Sequence, residues 1–466
     1  MDEQLTKGKF NTNFGFLMAA IGSAVGLGNL WGFPYKMGEG GGFAFLLMYI
    51  VLAIVIGYSC MVAELALGRK SGKGAIGAYR AIDSKFQFNG WLACLSPLFL
   101  LMFYCALGGY CIKYLVANFG NIFGANWGIH STDSQTYFLN FVSNTGEAMI
   151  FAIIFLVLTI VIVSLGVAKG LEKFSVTAMP ILFVMLLIVV VRSVTLPGAS
   201  EGIRFMFTPN WQIFHGLGWV KVLAAAGGQL FFSLSLSSGC LIAFSSYLDK
   251  KENLERNALI IPLADTMVAL LAGLATIPAV FSAGLEPTQG PGMLFITLQT
   301  VFQGMGKAGP LFGTAFYFLV FLAALSSSIA MMEGAVSTFI DRRIEAGKEA
   351  NRPLVTTVIG AIGCVGCLIV TFDALGSSDL PHLFGFSTWI DTFDLFAEGL
   401  LMPMNAFIMT IILGWLRPDY IDDEIELSSS YHSKPFVSIC LKYIAPLFML
   451  LILVGQLDNF FQLGIF

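Results

Sequence analysis

The sequence predicts an all-α polytopic membrane protein, and three observations carry that prediction. Of its 466 residues 57% are hydrophobic and only 12% charged, where a soluble protein carries roughly 25% charged residues. Half the usual charge cannot cover the surface of a 50.4 kDa globule in water. Apolar runs of about 20 residues, the length a helix needs to cross the hydrocarbon core, recur along the whole chain and give a mean hydropathy of +0.81. Gly (50) and Phe (43) are abundant, and Gly is commoner in membrane helices than in soluble ones. A soluble enzyme and a nucleic-acid binder are excluded on these grounds; the lipid bilayer is the one partner that composition demands, and protein partners are not legible.

The spans fall near 14–35, 43–68, 91–117, 147–167, 174–197, 217–248, 257–283, 309–340, 354–373, 388–416 and 435–456, joined by short polar connections. Several exceed the required length, which implies tilt or a break within the span. The start, MDEQLTKGKFNTNFGF, does not read as a signal peptide, since its apolar run continues into GNLWGFPY with no small-residue cleavage site. Basic residues collect on the cytoplasmic side of membrane proteins. With the N-terminus inside, nineteen of the 25 Lys and Arg lie on the inner side and six on the outer. A multi-pass protein of the cell inner (plasma) membrane is therefore expected, its N-terminus cytoplasmic and, after an odd number of spans, its C-terminus external.

Two spans are spoiled in matching places. The first contains AAIGSAVGLGNLWGFP, with Gly22, Gly26, Gly28 and Asn29 at mid-membrane; the sixth contains GGQLFFSLSLSSGC, where Ser233, Ser235, Ser237, Ser238 and Gly239 crowd one point. These are poor helix formers placed where a helix most needs continuity, and non-helical backbone at that depth survives only where it is buried in protein or lines a cavity. Breaks five spans apart, in corresponding positions of two five-span halves, point to inverted repeats around a midplane binding site. The expected architecture is two inverted five-helix repeats with broken first and sixth helices plus an eleventh helix. Its boundaries are a cytoplasmic N-terminal gate segment at 1–12, repeats at 13–200 and 201–416, and a cytoplasmic loop, eleventh helix and external C-terminus at 417–466. The competing explanation is packing through small residues, which accounts for Gly22 and Gly26 but not for Asn29 or the serines.

Ionisable residues within spans are costly and usually functional. Here Glu64, Asp265, Glu333, Asp394 and Glu398 are all acidic, while the basic residues of the spans sit near their ends, where they can snorkel. An interior so short of positive charge calls for a transported or coupling cation, or for protonation. Ser326, Ser327 and Ser328 form a mid-span run. Such hydroxyls, with the free carbonyls of an unwound helix, make a hard-oxygen site suited to sodium; hydroxyls bonding back to the preceding turn are the alternative. Cys364 and Cys367 lie in a wholly apolar run and read as packing residues, and four scattered His offer no metal site or proton relay.

These residues carry a resemblance. GSAVGLGNLWGFPYKMGEGGGFAF resembles the first-span signature of the neurotransmitter:sodium symporter family, and ELALGR (64–69), GQLFFSLSLSSG (228–239) and LAALSSSIA (322–330) match that family in order, over essentially the whole chain. Eleven spans are similar to the bacterial branch, which carries amino acids. The resemblance implies two sodium sites: the carbonyl of Ala24 with Asn29, Ser233 and Asp265, completed by the substrate's carboxylate; and the carbonyls of Gly22, Val25 and Ala323 with the hydroxyls of Ser326 and Ser327. It implies a substrate carboxylate on the amides of Leu27 and Gly28, at the positive end of a half-helix, and on the Tyr104 hydroxyl. The ammonium would meet carbonyls at Ala24, Phe232 and Ser233. Ser23, Leu100, Ser235, Ser238, Ser327 and Met331 would line the side-chain pocket, with Tyr104 and Phe232 as an aromatic lid.

Departures from the family pattern shape the remaining expectations. Gly32 stands where the family usually has Arg, so the outer salt bridge to Asp394 cannot form. Lys7 replaces an inner Arg and is expected to pair with Asp341, beside Phe10 and Tyr247. Ser238 stands where a bulky residue is common, which suggests a large apolar or aromatic substrate, and Ser23 stands where amine carriers tend to place an acid. Asp265 supplies a fixed negative charge where chloride-dependent members have neutral residues, so no chloride requirement is expected. The function expected is sodium-coupled import of a zwitterionic amino acid, with no enzymatic activity. A same-fold carrier of a betaine-like osmolyte or organic amine is the alternative, and a cation channel a more distant one.

Overall fold

The computed structural model describes residues 8–130, 132–215, 218–285 and 292–465. These residues form helices and no strands. Nine helices among them are long and apolar enough to cross a membrane: α2 (Phe43–Ser71), α3 (Ser84–Ile122), α4 (Thr145–Ser164), α5 (Val167–Val194), α7 (Leu254–Ser282), α8 (Gly306–Glu345), α9 (Arg352–Asp373), α10 (Trp389–Leu416) and α11 (Lys434–Asp458). The first span, α1, is a pair, Asn13–Ala24 and Gly28–Glu39, bent by 46°. The sixth, α6, is Gly218–Ser233 followed by Cys240–Ser245, each part too short to cross alone. Helices therefore occupy all eleven expected spans among the described residues, nine as single crossing helices and the first and sixth as broken segments.

The most extensive packing is between α3 and α8, which are mostly buried, and the breaks of α1 and α6 lie against them. By contrast α4, α5 and α11 keep much of their apolar surface exposed, including Ile150, Val161, Val191 and Leu447. A soluble protein rarely leaves so large an apolar surface uncovered; here lipid covers it. The polar residues that a hydrocarbon slab would reject are gathered instead in the centre, where helix packing can supply their partners.

Two local devices position this centre. At the inner end of α1, Glu172 of α5 accepts from the amides of Asn11 (2.7 Å) and Thr12 (3.2 Å), while the Thr12 side chain accepts from Gly15 N. Together they satisfy donors that a helix start leaves orphaned. Single π-helical turns interrupt several spans, among them Gly28–Gly32 in α1 and Leu395–Leu401 in α10. Such turns redirect side chains and are common at functional sites; these two carry Asn29 and Glu398.

Candidate functional site

The break in α1 begins at Val25, whose backbone turns extended (φ −76°, ψ 101°). Gly26 N donates to Asn29 Oδ1 at 3.0 Å, and Leu27 N to the Tyr104 hydroxyl at 3.0 Å. No side chain fits at residue 26, where a Cβ would lie 2.3 Å from Ser327 Oγ and 2.7 Å from the Tyr104 hydroxyl. In α6 the chain turns through left-handed residues at Ser235 (φ +51°), Ser237 (φ +59°) and Gly239 (φ +73°). Non-glycine residues held this way cost on the order of 1–3 kcal/mol each. Fixed partners hold them: Ser237 N donates to Glu64 Oε1 at 2.5 Å, and Asn405 Nδ2 donates to Ser237 O at 2.5 Å.

The carbonyls freed from α1 face the serines of α8. Ser327 Oγ lies 3.5 Å from Gly22 O, 3.3 Å from Ser23 O and 3.4 Å from Val25 O. Ser326 Oγ lies 3.5 Å from Val25 O and 2.9 Å from Ala323 O. The five groups of the second expected sodium set thus converge. Their donors are all oxygen and carry no net charge, a chemistry that fits a hard monovalent cation better than a transition metal.

The other set meets at Asp265. Asn29 Nδ2 donates to Asp265 Oδ1 at 2.7 Å, Ser233 Oγ lies 2.9 and 3.0 Å from its two oxygens, and the Tyr49 hydroxyl donates to Oδ2 at 3.0 Å. Asn29, Ser233 and Asp265 are fully buried, and Ala24, the last residue of the inner half-helix, is nearly so. The carboxylate is well bonded yet neutralised by no cation of the protein among these contacts.

Between the sets lie the residues expected to line a pocket. Ser235 Oγ donates to Ser23 O at 3.1 Å and lies 3.4 Å from Ser23 Oγ, while Ser238 Oγ is turned back onto Ser235 O at 2.6 Å. Leu100 and Met331 are also buried. The Tyr104 and Phe232 rings meet edge to face, centroids 6.5 Å apart, and a Cβ at Gly28 would lie 2.9 Å from the Phe232 ring. Outside Phe232 a cavity of about 740 Å³ opens, lined in part by Gly32, Lys36, Asp394 and Glu398.

At the inner end, Phe10 packs edge-on against Phe16, Phe244 and Tyr247. Asp341 Oδ2 accepts from Gly74 N at 2.5 Å. Lys7, its expected partner, lies outside the described residues. The expectation of an interior without fixed cations needs correction. Arg352 reaches the fully buried carboxylate of Glu333, which also accepts from the Tyr247 hydroxyl at 2.5 Å. The Arg69 side chain does not snorkel either: it is 0% exposed and pairs with Glu424 at 2.7 Å. Both arginines lie near helix ends in sequence, but their carboxylates come from other helices, Glu333 from within α8 and Glu424 from the short helix Asp419–Glu426.

Tyr49, Gln229, Glu172 and Asn405 escaped the sequence reading. Gln229 Nε2 donates to Gly28 O at 2.8 Å, holding the outer side of the α1 break. A search for ionisable groups within spans and for hydroxyl clusters passes over a lone amide or phenol, and over Glu172, which falls between two expected spans. The usable signal was there, since a polar atom in an apolar run must find a partner when buried.

Comparisons with known proteins show the family. The chain matches the sodium:neurotransmitter symporter family over residues 7–132 and 130–465. It is 36% identical over 408 residues to an uncharacterized sodium-dependent transporter, YhdH, of Bacillus subtilis (strain 168), covering 86% of each chain. It is 31% identical over 456 residues to an uncharacterized sodium-dependent transporter of Haemophilus influenzae, covering 96% of each. Among solved structures it is similar to MhsT in complex with L-phenylalanine, with a TM-score of 0.87 at 31% identity, over 97% of this chain and 100% of that one.

Proposed function

The chain belongs to the sodium:neurotransmitter symporter family, and on that premise we propose that it imports a zwitterionic amino acid with a large apolar or aromatic side chain. Import is coupled to two sodium ions, runs by alternating access and needs no chloride. The observation that carries this reading is the unpaired carboxylate of Asp265, held at mid-membrane by Asn29 and Ser233 next to the neutral oxygen cluster of α1 and α8. One sodium sits with Ala24, Asn29, Ser233 and Asp265, the other with Gly22, Val25, Ala323, Ser326 and Ser327.

The substrate carboxylate takes the place between Leu27 N and the Tyr104 hydroxyl, which now bond each other at 3.0 Å, and joins the first sodium. Each then raises the other's affinity, as linkage requires. The substrate side chain lies among Ser23, Leu100, Ser235, Ser238 and Met331. The phenylalanine held by MhsT supports an amino acid of this size. The repeats at 13–200 and 201–416 move against each other, with the N-terminus cytoplasmic and the C-terminus external.

Uptake into proteoliposomes driven by a sodium gradient tests the reading. It should saturate and collapse when potassium or choline replaces sodium. A competition panel of the common amino acids and betaine identifies the substrate class, and preferential competition by betaine or an organic amine would replace the amino-acid assignment.

A further inference from the structure

Gly32 leaves the outer half of α1 without the arginine that its sequence pattern leads one to expect, and the structure gives a steric reason. A Cβ at residue 32 would lie 2.8 Å from Oε1 of Gln229, and Gln229 is committed through Nε2 to Gly28 O. Any larger side chain there requires the end of the Gln229 side chain to shift.

A cation stands four residues further out on the same helix. Lys36 Nζ lies 3.9 Å from Glu398 Oε2 of α10, the side chains 24% and 8% exposed. Glu398 follows Asp394 by four residues, one turn along α10, and both line the cavity together with Lys36. Asp394 Oδ1 is buried and has no hydrogen-bond partner. Acids on the other side of Lys36 are already engaged: Glu39 accepts from the Tyr35 hydroxyl at 2.8 Å, and Asp458 accepts from Ile465 N at 2.9 Å.

Lys36 and the carboxyl pair stand on different helices lining the 740 Å³ cavity outside the Phe232 lid. An ammonium has three rotatable donors and can bridge two carboxyl groups. At 3.9 Å the pair is open enough to part as the cavity widens, and the bare Asp394 oxygen gives Lys36 a second acceptor as the cavity narrows.

We propose that Lys36 and the Asp394–Glu398 pair form the outer latch of this transporter, displaced four residues outward from Gly32, and that their closure over the cavity favours the outward-closed states. The proposal rests on the alternating-access reading above, but its test does not depend on the identity of the substrate. Ile390, which lines the cavity, is replaced by Cys in the full chain in proteoliposomes, and its alkylation by a membrane-impermeant maleimide is followed in potassium and in sodium buffer. The native cysteines are buried except for Cys364, which is partly so; the parent chain without the substitution gives their background.

Lys36→Gln and Glu398→Gln should each raise the alkylation rate in potassium about threefold to fivefold, the scale of a partly exposed ion pair, and together no further than either alone. Lys36→Arg, which keeps the charge, should return toward the parent rate, as should the exchange of Lys36→Glu with Glu398→Lys. Rates equal to the parent's in both single variants, or effects that multiply in the double variant, overturn the latch. Sodium-driven phenylalanine uptake by the unsubstituted protein is measured alongside. Absent uptake with a preserved latch effect removes the proposed function alone, and normal uptake with unchanged alkylation removes the latch alone.

Discussion

Asn29, on the outer half of the broken α1, donates its amide to Asp265 of α7 at 2.7 Å, and both side chains are fully buried. The bond ties a half-helix to a continuous helix through a carboxylate that no protein cation neutralises among its contacts. A buried charge of this kind is strongly disfavoured unless a cation or proton joins it. On the proposed reading, it sets the terms on which ion, substrate and proton enter the centre.

The first prediction follows from that carboxylate. Replacing chloride by gluconate at constant sodium should leave uptake by the unaltered protein unchanged. Asp265→Asn keeps the shape and one of the two acceptor oxygens but removes the charge, so its uptake should fall at least tenfold in chloride-free buffer and recover in part with chloride. On the return step, with sodium and substrate gone, protonation neutralises Asp265, and an outward proton flux should accompany turnover. Chloride-dependent uptake in the unaltered protein, or an Asn variant that transports normally without chloride, overturns the assignment.

Ser327 approaches the Gly22, Ser23 and Val25 carbonyls within 3.3–3.5 Å. Removing its hydroxyl deletes one oxygen of the second proposed sodium set, at a cost of about 1.5–3 kcal/mol by analogy with a hydrogen bond to a charged group. At 1.4 kcal/mol per decade, the sodium concentration for half-maximal uptake in Ser327→Ala should rise by about tenfold to a hundredfold. A sodium titration of uptake measures it, and an unchanged midpoint removes Ser327 from the site.

The architecture was legible because bilayer physics leaves few choices: eleven apolar runs gave eleven spans, and misplaced Gly, Asn and Ser marked both breaks. Polar residues that the structure gathers at the two breaks, such as Asn29, Asp265 and Ser327, stood out for the same reason, since each is costly in hydrocarbon without a partner. The pairings of Arg352 with Glu333 and of Arg69 with Glu424 were not. They join residues whose approach depends on how helices pack and loops fold, and hydropathy along one chain carries no such information. The Tyr49 contact to Asp265 was hidden likewise, because a phenol in FAFLLMYIVL looks like packing until its neighbour is known.

Glu64 provides the third prediction. It holds the Ser237 amide at 2.5 Å inside a strained turn, so Glu64→Ala leaves a buried donor without its acceptor. The cost is about 1–3 kcal/mol, and it should appear as a lower melting temperature in detergent together with lost uptake. Glu64→Gln keeps an acceptor oxygen and should retain most of the stability. Equal melting temperatures in the Ala variant and the parent would show that Glu64 does not support the turn.

Substrate size gives the fourth. Ser238 turns its hydroxyl onto Ser235 O and leaves only a small side chain at a position where bulk is common. Leucine, phenylalanine, tyrosine and tryptophan should therefore compete for uptake better than glycine or alanine. Ser238→Phe should reverse that order by filling the pocket, with sodium dependence retained. A panel in which glycine or alanine wins against the parent protein refutes the size assignment and leaves sodium coupling intact.

The last prediction separates two roles of Asp341. The expected partner of its charge is Lys7, while its Oδ2 accepts from Gly74 N at 2.5 Å. A gate role depends on the charge, and a structural role depends on the acceptor oxygen. Asp341→Asn removes the charge and keeps an acceptor; Asp341→Ala removes both. Ion pairs near the surface are worth about 0–1 kcal/mol, enough to bias two nearly equal states but too little to hold a fold. If the charge closes the inner mouth, both variants should raise the labelling of a cysteine probe on the inner side by up to about fivefold, and the Asn variant should keep its melting temperature. If Asp341 serves only to anchor Gly74, labelling should rise in Asp341→Ala alone, accompanied by a lower melting temperature. An Asn variant indistinguishable from the parent in labelling would therefore remove Asp341 from the gate, whatever the Ala variant does.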